Sequence, residues 1–475
     1  MLSRNELEKI LEAALEEGGD FADVFLEKKI TTGIGCEDNK IERVNTGIDI
    51  GAGVRVISGT TTSYAYTNDL SLHSLLQIAN VASRAAKSGR QIKPIKINKK
   101  VPQFDFKIEL PPDHVPVSDK VGQVERANKA ARGVSEKIKQ VTVGYGDSIQ
   151  DVVIANSLGT YVEDRRIRTR FVVNSVASDA GQVQTGYEAL GGTEGYEIFK
   201  THSTEELGET ASRRAIELLQ ADPAPAGKMP VVMAAEAGGT MVHEACGHGL
   251  EADLVQKKLS VYQGKLGQNV ASPLVTVVDD ATIKGKYGTL RFDDEGNHGR
   301  KKVLIADGVL KGYMYDHLTA EKDHRESTGN GRRESFREKP IPRMTNTYIA
   351  SGKDDPEKII RETQKGLLVR KMGGGQVNTT NGDFVFDVAE GYLIQDGEIK
   401  KMVRGATLTG NGPEALVLVD RVGRDLGFAI GTCGKDGQGA PVSDAQPTIR
   451  IKELIVGGTA HNTSAESANA QIRRL

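Results

Sequence analysis

The stretch Ala221-Asp222-Pro223-Ala224-Pro225-Ala226-Gly227 divides the chain into two predicted domains. Two prolines alternate there with small residues, between a helical pattern that ends near Gln220 and an apolar, strand-like run over residues 229–234. Such a composition is typical of a boundary between domains, because few contacts cross it. We therefore predict an α+β protein with two domains, one over residues 1–222 and one over residues 223–475.

The N-terminal domain is predicted to be mixed α/β with an antiparallel sheet. Ser3 and Glu6 have the spacing of a capping box, which predicts a first helix that runs to about Glu17. β-Branched segments punctuated by glycine predict a meander of strands, over residues 23–29, 40–45, 47–57 and 61–66. Alternating strands are expected over residues 141–190. Three further helices are expected: one over residues 70–86, one from a cap at Ser118 to about Lys139, and one over residues 205–220.

The C-terminal domain is predicted to be predominantly antiparallel β, with a helix that carries a metal site. Asp307-Gly308 and Asp396-Gly397 each separate two strand-like segments and match the two-residue turns of β-hairpins. One further helix is expected over residues 354–371. At the start of the domain, a strand leads through Gly238-Gly239 into the helix of the metal site.

Two histidines flank a glutamate on that helix, in Thr240-Met241-Val242-His243-Glu244-Ala245-Cys246-Gly247-His248-Gly249-Leu250-Glu251-Ala252-Asp253. Neutral imidazoles are common zinc ligands, and a neighbouring glutamate is the usual base of zinc hydrolases. The i, i+5 spacing, however, would set the imidazoles about 140° apart on a regular α-helix. A π-type bulge would return both to one face, and Gly247, which lacks a Cβ, would ease it. We predict a hydrolytic metal site whose helix widens or breaks around Cys246-Gly247; the alternative is a metal-free helix with one buried and one exposed histidine.

Two histidines leave zinc short of ligands, and Cys433 is the leading candidate for a third. It lies in Ile430-Gly431-Thr432-Cys433-Gly434-Lys435-Asp436-Gly437-Gln438, where glycines expose its sulfur and Lys435 is expected to favour the thiolate. Two imidazoles and one thiolate would leave a fourth position open, as in catalytic zinc sites. Cys246 competes for the role but is expected to point elsewhere on the helix. Glu251 and Asp253 are further alternatives, each expected to accept an imidazole N–H or to be solvated.

The composition argues for a globular protein of a reducing compartment. Among 475 residues, 62 basic and 64 acidic side chains nearly cancel, which does not favour a nucleic-acid or anionic-membrane partner. No apolar run approaches the roughly 20 residues that would cross a bilayer, and the N-terminus has no secretory signal pattern. Three scattered cysteines do not make a disulfide framework, so a cytoplasmic location is expected.

Several motifs together resemble the TldD/PmbA family of zinc metallopeptidases, specifically its catalytic TldD-type branch. The resemblance rests on the spacing of His243-Glu244-Ala245-Cys246-Gly247-His248, on Gly434-Lys435-Asp436-Gly437-Gln438 after Cys433, and on motifs along nearly the whole chain: Gly53-Val54-Arg55-Val56-Ile57-Ser58-Gly59, Thr328-Gly329-Asn330-Gly331-Arg332-Arg333, Pro342-Arg343-Met344-Thr345-Asn346-Thr347, Gly373-Gly374-Gly375-Gln376, Gly382-Asp383-Phe384 and Gly410-Asn411-Gly412-Pro413. One departure is Cys246, where an apolar residue is expected.

The resemblance implies His243, His248 and Cys433 as zinc ligands and Glu244 as catalytic base. It implies a zinc-dependent peptidase that cleaves unfolded or extended peptides in a closed cavity, with Glu244 acting on a zinc-activated water. It also implies a dimer, either of identical chains or with a non-catalytic PmbA/TldE-type sister subunit. Two other functions stay open: a binding or assembly subunit with structural zinc, its fourth ligand being Cys246, Glu251 or Asp253, and an amidohydrolase of small molecules.

Two details of the predicted site stay open at this level. The oxyanion of the reaction needs a hydrogen-bond donor, and the candidates are Arg332, Arg333, Arg343, His317 and His324. The glycine-bounded strands of the C-terminal half could also offer an edge on which an extended peptide pairs through its backbone, which would make cleavage tolerant of sequence.

Overall fold

A computed structural model describes residues 2–84 and 94–459. The N-terminal half is built on one mostly antiparallel sheet of seven strands, in the order β3-β2-β1-β5-β6-β4, with β7 also paired to β6. The strands are β1 (Phe21–Glu37), β2 (Lys40–Ser58), β3 (Thr61–Thr67), β4 (Asn98–Lys99), β5 (Ile138–Asn156), β6 (Thr160–Asp179) and β7 (Gln182–Gly192).

In the described part of the N-terminal half, five α-helices pack on the sheet, most of them in two groups. They are α1 (Arg4–Ala14), α2 (Leu72–Arg84), α3 (Val117–Gly133), α4 (Ile198–Thr201) and α5 (Thr204–Gln220). The helices α1 and α2 pack with the start of β1 and the end of β2 around a core that includes Leu7, Val24 and Leu75. The helices α3 and α5 pack on β5 and β6 around a second core that includes Val124, Phe171 and Ala211.

The N-terminal half confirms the predicted α+β class and refines several of its elements. The capping box at Ser3 and Glu6 is present, and α1 ends at Ala14. The predicted strands 40–45 and 47–57 are one strand, because Gly47 continues β2 with its Cα opposite Thr31. Ser118 does not cap α3, whose N-cap is Pro116. The predicted helix 70–86 corresponds to α2, and its last two residues lie outside the described part of the chain.

The C-terminal half contains two larger sheets and a two-stranded one. Its strands are β8 (Asp222–Pro223), β9 (Gly227–Met233), β10 (Val277–Asp280), β11 (Lys301–Ala306), β12 (Val309–Leu310), β13 (Gly331–Arg332), β14 (Ile341–Pro342), β15 (Asn346–Ile349), β16 (Lys365–Val377), β17 (Asp383–Gln395), β18 (Glu398–Arg404), β19 (Thr407–Asn411), β20 (Val419–Val422), β21 (Gly427–Lys435), β22 (Gln438–Gln446) and β23 (Ile449–Gly457). One sheet has the order β12-β11-β10-β15-β22-β21. The other has the order β16-β9-β23-β19-β17-β18-β8, and an additional β16–β17 pairing closes a ring of five strands.

Short helices connect these strands: α6 (Thr240–Val242), α7 (Ala252–Gln256), α8 (His317–Lys322), α9 (Pro356–Arg361) and α10 (Gly412–Val417). Both predicted hairpin turns are confirmed, since Asp307-Gly308 joins β11 to β12 and Asp396-Gly397 joins β17 to β18, all four residues with positive φ. The predicted helix 354–371 is wrong beyond Arg361. From Lys365 the chain is strand β16, because Leu367, Leu368 and Val369 pair with β9 and bury their side chains.

The two halves meet through buried ion pairs. Arg55 of β2 contacts Asp23 of the same sheet and Glu295 of the C-terminal half, the latter at 2.8 Å. Arg166 of β6 bonds to Asp294, and all five side chains are at most 8% exposed. The boundary predicted at residue 222 falls in β8, which pairs with β18 of the C-terminal half. Within the described residues, no helix has the length and apolar character needed to cross a membrane.

Candidate metal centre

The backbone of residues 240–250 bends in the way that the spacing of the histidines predicts. The strand β9 leads through Gly238, whose φ is +72°, and Gly239 into the single turn α6. A π-turn then covers His243–Gly247, and a 3-10 turn covers His248–Leu250. The prediction that the helix widens before His248 is therefore confirmed, because a π-turn returns the fifth residue to the same side.

This bend brings the two imidazoles to the sulfur of Cys433 at the end of β21. Each of His243, His248 and Cys433 offers one atom that could bind a metal. These three atoms lie within 4.8 Å of one another. The Sγ of Cys433 is 3.3 Å from Nε2 of His248, and the two imidazole rings meet edge to face with centroids 5.0 Å apart. Two imidazoles and a thiol thus converge on one point from sequence positions far apart.

Neighbouring segments hold the distorted turn in place. A Cβ at Gly247 would overlap the Sδ of Met344, so only glycine fits there without a shift. The hydroxyl of Tyr262 donates a hydrogen bond of 2.9 Å to the carbonyl of Ala245, inside the π-turn. Gly412, at the start of α10, approaches the backbone of Ala245 too closely for a Cβ. The position of His248 therefore depends on tertiary packing as well as on its own sequence.

The cluster favours a thiolate at Cys433. Burial raises the pKa of the Cys433 thiol, but hydrogen bonds with the imidazoles of His243 and His248 outweigh burial and lower the pKa to about 5. The expectation that Lys435 supplies this effect is wrong. The Nζ of Lys435 lies 3.1 Å from Glu251 and 2.6 Å from Asp253, and it also bonds to the carbonyl of Pro342.

Glu251 contacts the imidazole of His248, which is one of the two roles that the sequence predicted for it. Its Oε2 is 3.0 Å from Nδ1 of His248, which directs Nε2 of that imidazole towards Cys433. Burial raises the pKa of Glu251, but Lys435 and His248 outweigh burial and lower the pKa to about 2. Asp253 pairs with Lys435 and does not reach an imidazole. Glu251 is thus a buried carboxylate that fixes the orientation of an imidazole, as carboxylates do behind metal-bound histidines in other proteins.

Asp444 of β22 is a neighbour of the site that the sequence analysis missed. Its Oδ2 is 3.8 Å from Nδ1 of His243, a buried nitrogen for which the described residues supply no hydrogen bond. Burial raises the pKa of Asp444 to about 6. The sequence offered one hint of this role, because Asp444 is the single charged residue within Gln438–Gln446.

Cys246 lies within the histidine motif but faces away from the cluster. Its Sγ is fully buried and donates a hydrogen bond of 3.3 Å to the carbonyl of Val242. Burial raises the pKa of its thiol to about 12. A protonated thiol in the apolar core is a poor competitor for a metal.

Glu244 and the cluster share one cavity of about 580 Å³, which we call the metal-site cavity. His243, His248, Cys433 and Glu244 all line it, and Glu244 is half-buried. Glu244 follows His243 directly in sequence and lines the same cavity as the three clustered side chains. The arrangement combines three metal donors, one carboxylate and space for a reactant.

Two strand edges border the metal-site cavity. The strand β21 is the last strand of its sheet, and in the described part of the chain only β22 pairs with it. The strand β16 pairs with β9 only over Leu367–Val369, and its residues Gly375, Gln376 and Val377 line the cavity. Backbone groups of two edges therefore face the space beside Cys433.

None of the five predicted oxyanion donors lines the metal-site cavity. The Arg343 guanidinium donates to the carbonyls of Cys433 and Gln438, and that of Arg332 donates to the carbonyls of Met344 and Pro441. The other three make contacts elsewhere: Arg333 donates to the carbonyl of Asp294, the ring of His317 lies against that of Phe21, and His324 is exposed.

Comparison with protein families gives three matches along the chain. Models described as PmbA/TldA metallopeptidase domain 1, central domain and C-terminal domain match residues 22–88, 110–219 and 226–458. The last match covers the whole candidate metal centre. The first two cover parts of one sheet, since β1 to β3 and β5 to β7 pair with one another.

Individual proteins are similar over nearly the full chain. A protein of Haemophilus influenzae named "Metalloprotease TldD homolog" is 36% identical over 96% of this chain and 97% of its own. A "Metalloprotease" of Methanothermobacter thermautotrophicus is 35% identical over 94% of this chain and 97% of its own. Solved structures also share the fold. A putative modulator of DNA gyrase from Thermotoga maritima has a TM-score of 0.79 and 22% identity, over 96% of this chain and 100% of its own. TldE from Thermococcus kodakarensis has a TM-score of 0.76 and 20% identity, over 95% of this chain and 100% of its own.

Proposed function

The chain belongs to the PmbA/TldD family of metallopeptidases, and on that premise we propose that it is a zinc-dependent peptidase that cleaves unfolded or extended peptides. The observation that carries the proposal is the convergence of His243, His248 and Cys433 beside Glu244 in one cavity. The proposal assigns the first three residues as metal ligands and Glu244 as catalytic base.

The donor set fits zinc. Zinc binds imidazole nitrogen and thiolate sulfur, and its catalytic sites use three protein ligands. The lowered pKa of Cys433 supports ligation, because the thiolate is the form that binds a metal. The buried Nδ1 of His243 without a hydrogen bond, with a carboxylate of Asp444 3.8 Å away, is a further sign that this polar cluster is organised around a cation.

Zinc, when bound, supplies Lewis acidity that activates water and polarises a peptide carbonyl. In this proposal, Glu244 acts as the general base. Its carboxylate lines the cavity next to His243, where it can accept a proton from water and return it to the amine of the leaving peptide. Glu251 holds His248 in one orientation, and Lys435 holds Glu251.

An extended peptide suits the open edge of β21. A peptide that pairs with this strand would lie beside Cys433 and be bound mainly through backbone hydrogen bonds. Such binding tolerates many side chains but requires an unfolded segment, because a folded protein has already paired its backbone groups. This supports unfolded or extended peptides as the substrate class.

The geometry supports the peptidase over a binding subunit with structural zinc. A structural site would fill a fourth position from the protein. Of the candidates for it, Cys246 points to the carbonyl of Val242, Glu251 is engaged with His248 and Lys435, and Asp253 is paired with Lys435. No further donor is grouped with the three ligands among the described residues.

We further propose that the peptidase works as a dimer, of identical chains or with a PmbA/TldE-type sister subunit, as expected from family membership. Light scattering of the purified chain should give either twice the chain mass of 51.1 kDa or, after a sister subunit is added, the summed mass of the two different chains. A chain that remains monomeric in both cases contradicts this part of the proposal.

Zinc analysis combined with a peptidase assay tests the proposed function. The purified full chain should contain about one zinc per chain and cleave an unstructured peptide. A chelator should abolish cleavage, and added zinc should restore it. A chain that keeps its zinc in chelator but cleaves no peptide would favour the structural role. Cleavage of simple amides in preference to peptides would favour the amidohydrolase.

A further inference from the structure

A second cavity lies on the opposite face of the β21–β22 ribbon from the metal centre. Thr432 and its cross-strand partner Pro441 line this second cavity, whereas Cys433, one residue along β21, lines the metal-site cavity. Side chains alternate between the two faces of a strand, so the ribbon separates the two cavities. They meet at its edge, because Thr432 borders both.

The second cavity, of about 310 Å³, is lined by an unusual number of cations, and we call it the arginine cavity. Its basic lining residues are Lys29, Arg166, Arg168, Arg170, Arg332 and Arg333. The three arginines of β6 alternate along the strand and therefore share one face. The other two arginines come from the C-terminal half, so the cavity lies between the halves.

The acidic residues of the lining neutralise only part of this positive charge. The carboxylate of Asp294 pairs with Arg166 and accepts a backbone N–H from Arg333, whose guanidinium donates to the carbonyl of Asp294. Asp147 bonds at 2.6 Å to Lys120, which does not line the cavity. The remaining carboxylate, Glu334, accepts a backbone N–H at 2.6 Å. Positive charge is therefore left over on the other arginines.

Arg168 and Arg332 are the clearest examples of buried arginines without a carboxylate partner among the described residues. They are 7% and 3% exposed, and within the described residues neither forms an ion pair. Arg168 donates to the carbonyls of Tyr287 and Thr289, at 3.1 and 3.4 Å, and Arg332 donates to two carbonyls. Neutral carbonyls satisfy hydrogen bonds but leave a buried charge uncompensated, which is costly. Burial, and then the repulsion of nearby arginines, lowers the pKa of Arg168 to about 10 and that of Arg332 to about 9.

We propose that the arginine cavity is a subsite for a carboxylate of the bound peptide, either its C-terminal carboxylate or an aspartate or glutamate side chain; this inference rests on the proposed peptidase function. In a paired strand, directly opposite residues place their side chains on the same face. A peptide residue opposite Thr432 would thus point into the arginine cavity, while its neighbours point to the metal side. Guanidinium groups bind carboxylates through two parallel hydrogen bonds.

The test compares peptides that differ only in where they carry a carboxylate. The zinc-loaded full chain with Glu244→Gln, in which hydrolysis is silenced, is titrated against hexapeptides with one N-terminal dye. The reference peptide has a C-terminal amide and no acidic residue; a second has a free C-terminus; the others carry one glutamate at successive positions. Fluorescence anisotropy gives Kd for each. We expect about tenfold tighter binding of either the free C-terminus or the glutamate at one position, and this outcome identifies the source of the carboxylate.

Matched variants of β6 link the preference to the cavity. Arg168→Gln and Arg170→Gln each remove a cavity cation, and Arg170, which is half-buried, is the safer substitution for folding. Both should reduce the tenfold preference to less than about threefold. Arg165→Gln is the control, because Arg165 is an exposed residue of the same strand, points to the other face and pairs with Asp113. It should keep the preference.

Equal Kd values for all peptides, or a preference that survives both cavity variants, would overturn the subsite. The parent chain with Glu244 intact is assayed on the amidated reference peptide in parallel. If it cleaves that peptide while all peptides bind alike, the subsite fails and the peptidase stands. If the chain binds carboxylate peptides selectively but cleaves none, the peptidase fails and the subsite stands.

Discussion

At the scale of single residues, the two cysteines Cys246 and Cys433 differ sharply in environment. Cys246 lies between the two histidines in sequence, yet its thiol is buried in the apolar core with a pKa of about 12. Cys433 is 185 residues from His248, yet its sulfur lies 3.3 Å from that imidazole and its pKa is about 5. Position on β21, and not proximity in sequence, therefore decides which thiol lies beside the two imidazoles.

Serine substitutions of the two cysteines should separate these roles. Cys433→Ser replaces a thiolate with a poor zinc donor, so the zinc content of the purified chain should fall at least about tenfold. Cys246→Ser should keep about one zinc per chain, since its sulfur does not face the cluster. Elemental analysis of both proteins measures this. Full zinc in the Cys433 variant, or loss confined to the Cys246 variant, would reassign the ligand.

At the scale of elements, the π-turn His243–Gly247 converts an unsuitable spacing into a shared site. It depends on close packing at Gly247, whose backbone lies against Met344, and on the hydrogen bond from Tyr262. The turn is thus held from outside, by segments more than ten residues away in sequence. A change at this contact should act on the metal site without touching a ligand.

Gly247→Ala tests that dependence. The added methyl would overlap Met344, so His248 should shift and zinc affinity should fall by about tenfold or more. Gly133→Ala, at the end of α3, adds the same methyl in open space and should leave zinc binding unchanged. Competition with a zinc indicator dye measures both affinities. Equal affinity of the two variants would mean that the turn does not need this contact.

The free edge of β21 makes a second prediction at this scale. N-methylation of a peptide amide removes one hydrogen-bond donor and adds bulk at the paired edge. Moving a single N-methyl group along a substrate should raise KM about tenfold or more at alternate positions, because alternate amides of a strand face one partner. Steady-state kinetics measure this series. Uniform tolerance of N-methylation would exclude backbone pairing as the binding mode.

Local patterns predicted part of these elements, and long-range packing determined the rest. The capping box at Ser3, the Asp-Gly hairpin turns and the widened helix at Gly247 all follow from short-range rules, and all are present. The helix expected through Lys371 fails because Leu367–Val369 pair with β9, a strand more than a hundred residues away. Asp444 and the arginine cavity were missed because only the register of β21 and β22 and the contact between the halves bring them to the site.

At the scale of the molecule, buried charges join the N-terminal sheet to the C-terminal half. Arg166 of β6 reaches Asp294, and Asp294 also accepts hydrogen bonds from Arg333. Burial raises the pKa of Asp294, but Arg166 and Arg333 outweigh burial and hold the pKa below its ordinary value of 3.8. The carboxylate therefore stabilises the folded state above about pH 3.8, and this contribution is lost as the pH falls through the lower, folded-state pKa.

Asp294→Asn tests this junction. At pH 7 the substitution leaves buried arginines without their partner, and the free energy of unfolding should fall by about 3 kcal/mol. The difference from the parent chain should shrink as the pH falls below 3.8, where the unfolded parent chain binds the proton, and then through the lower, folded-state pKa. Urea unfolding of both proteins without zinc measures this. Asp179→Asn, which removes an exposed pair with Lys137, is the control and should lower the free energy of unfolding far less, because solvent screens an exposed pair. A pH-independent difference would refute the linkage.

The central claim is that the cluster holds catalytic zinc and that Glu244 moves the proton. The most direct measurement is the rate of peptide hydrolysis by the Glu244→Gln chain at a verified zinc content. Because the amide keeps the shape of the side chain but cannot act as a base, zinc should remain at about one per chain while kcat falls at least about a thousandfold. Full zinc with a kcat within tenfold of the parent chain would contradict the account.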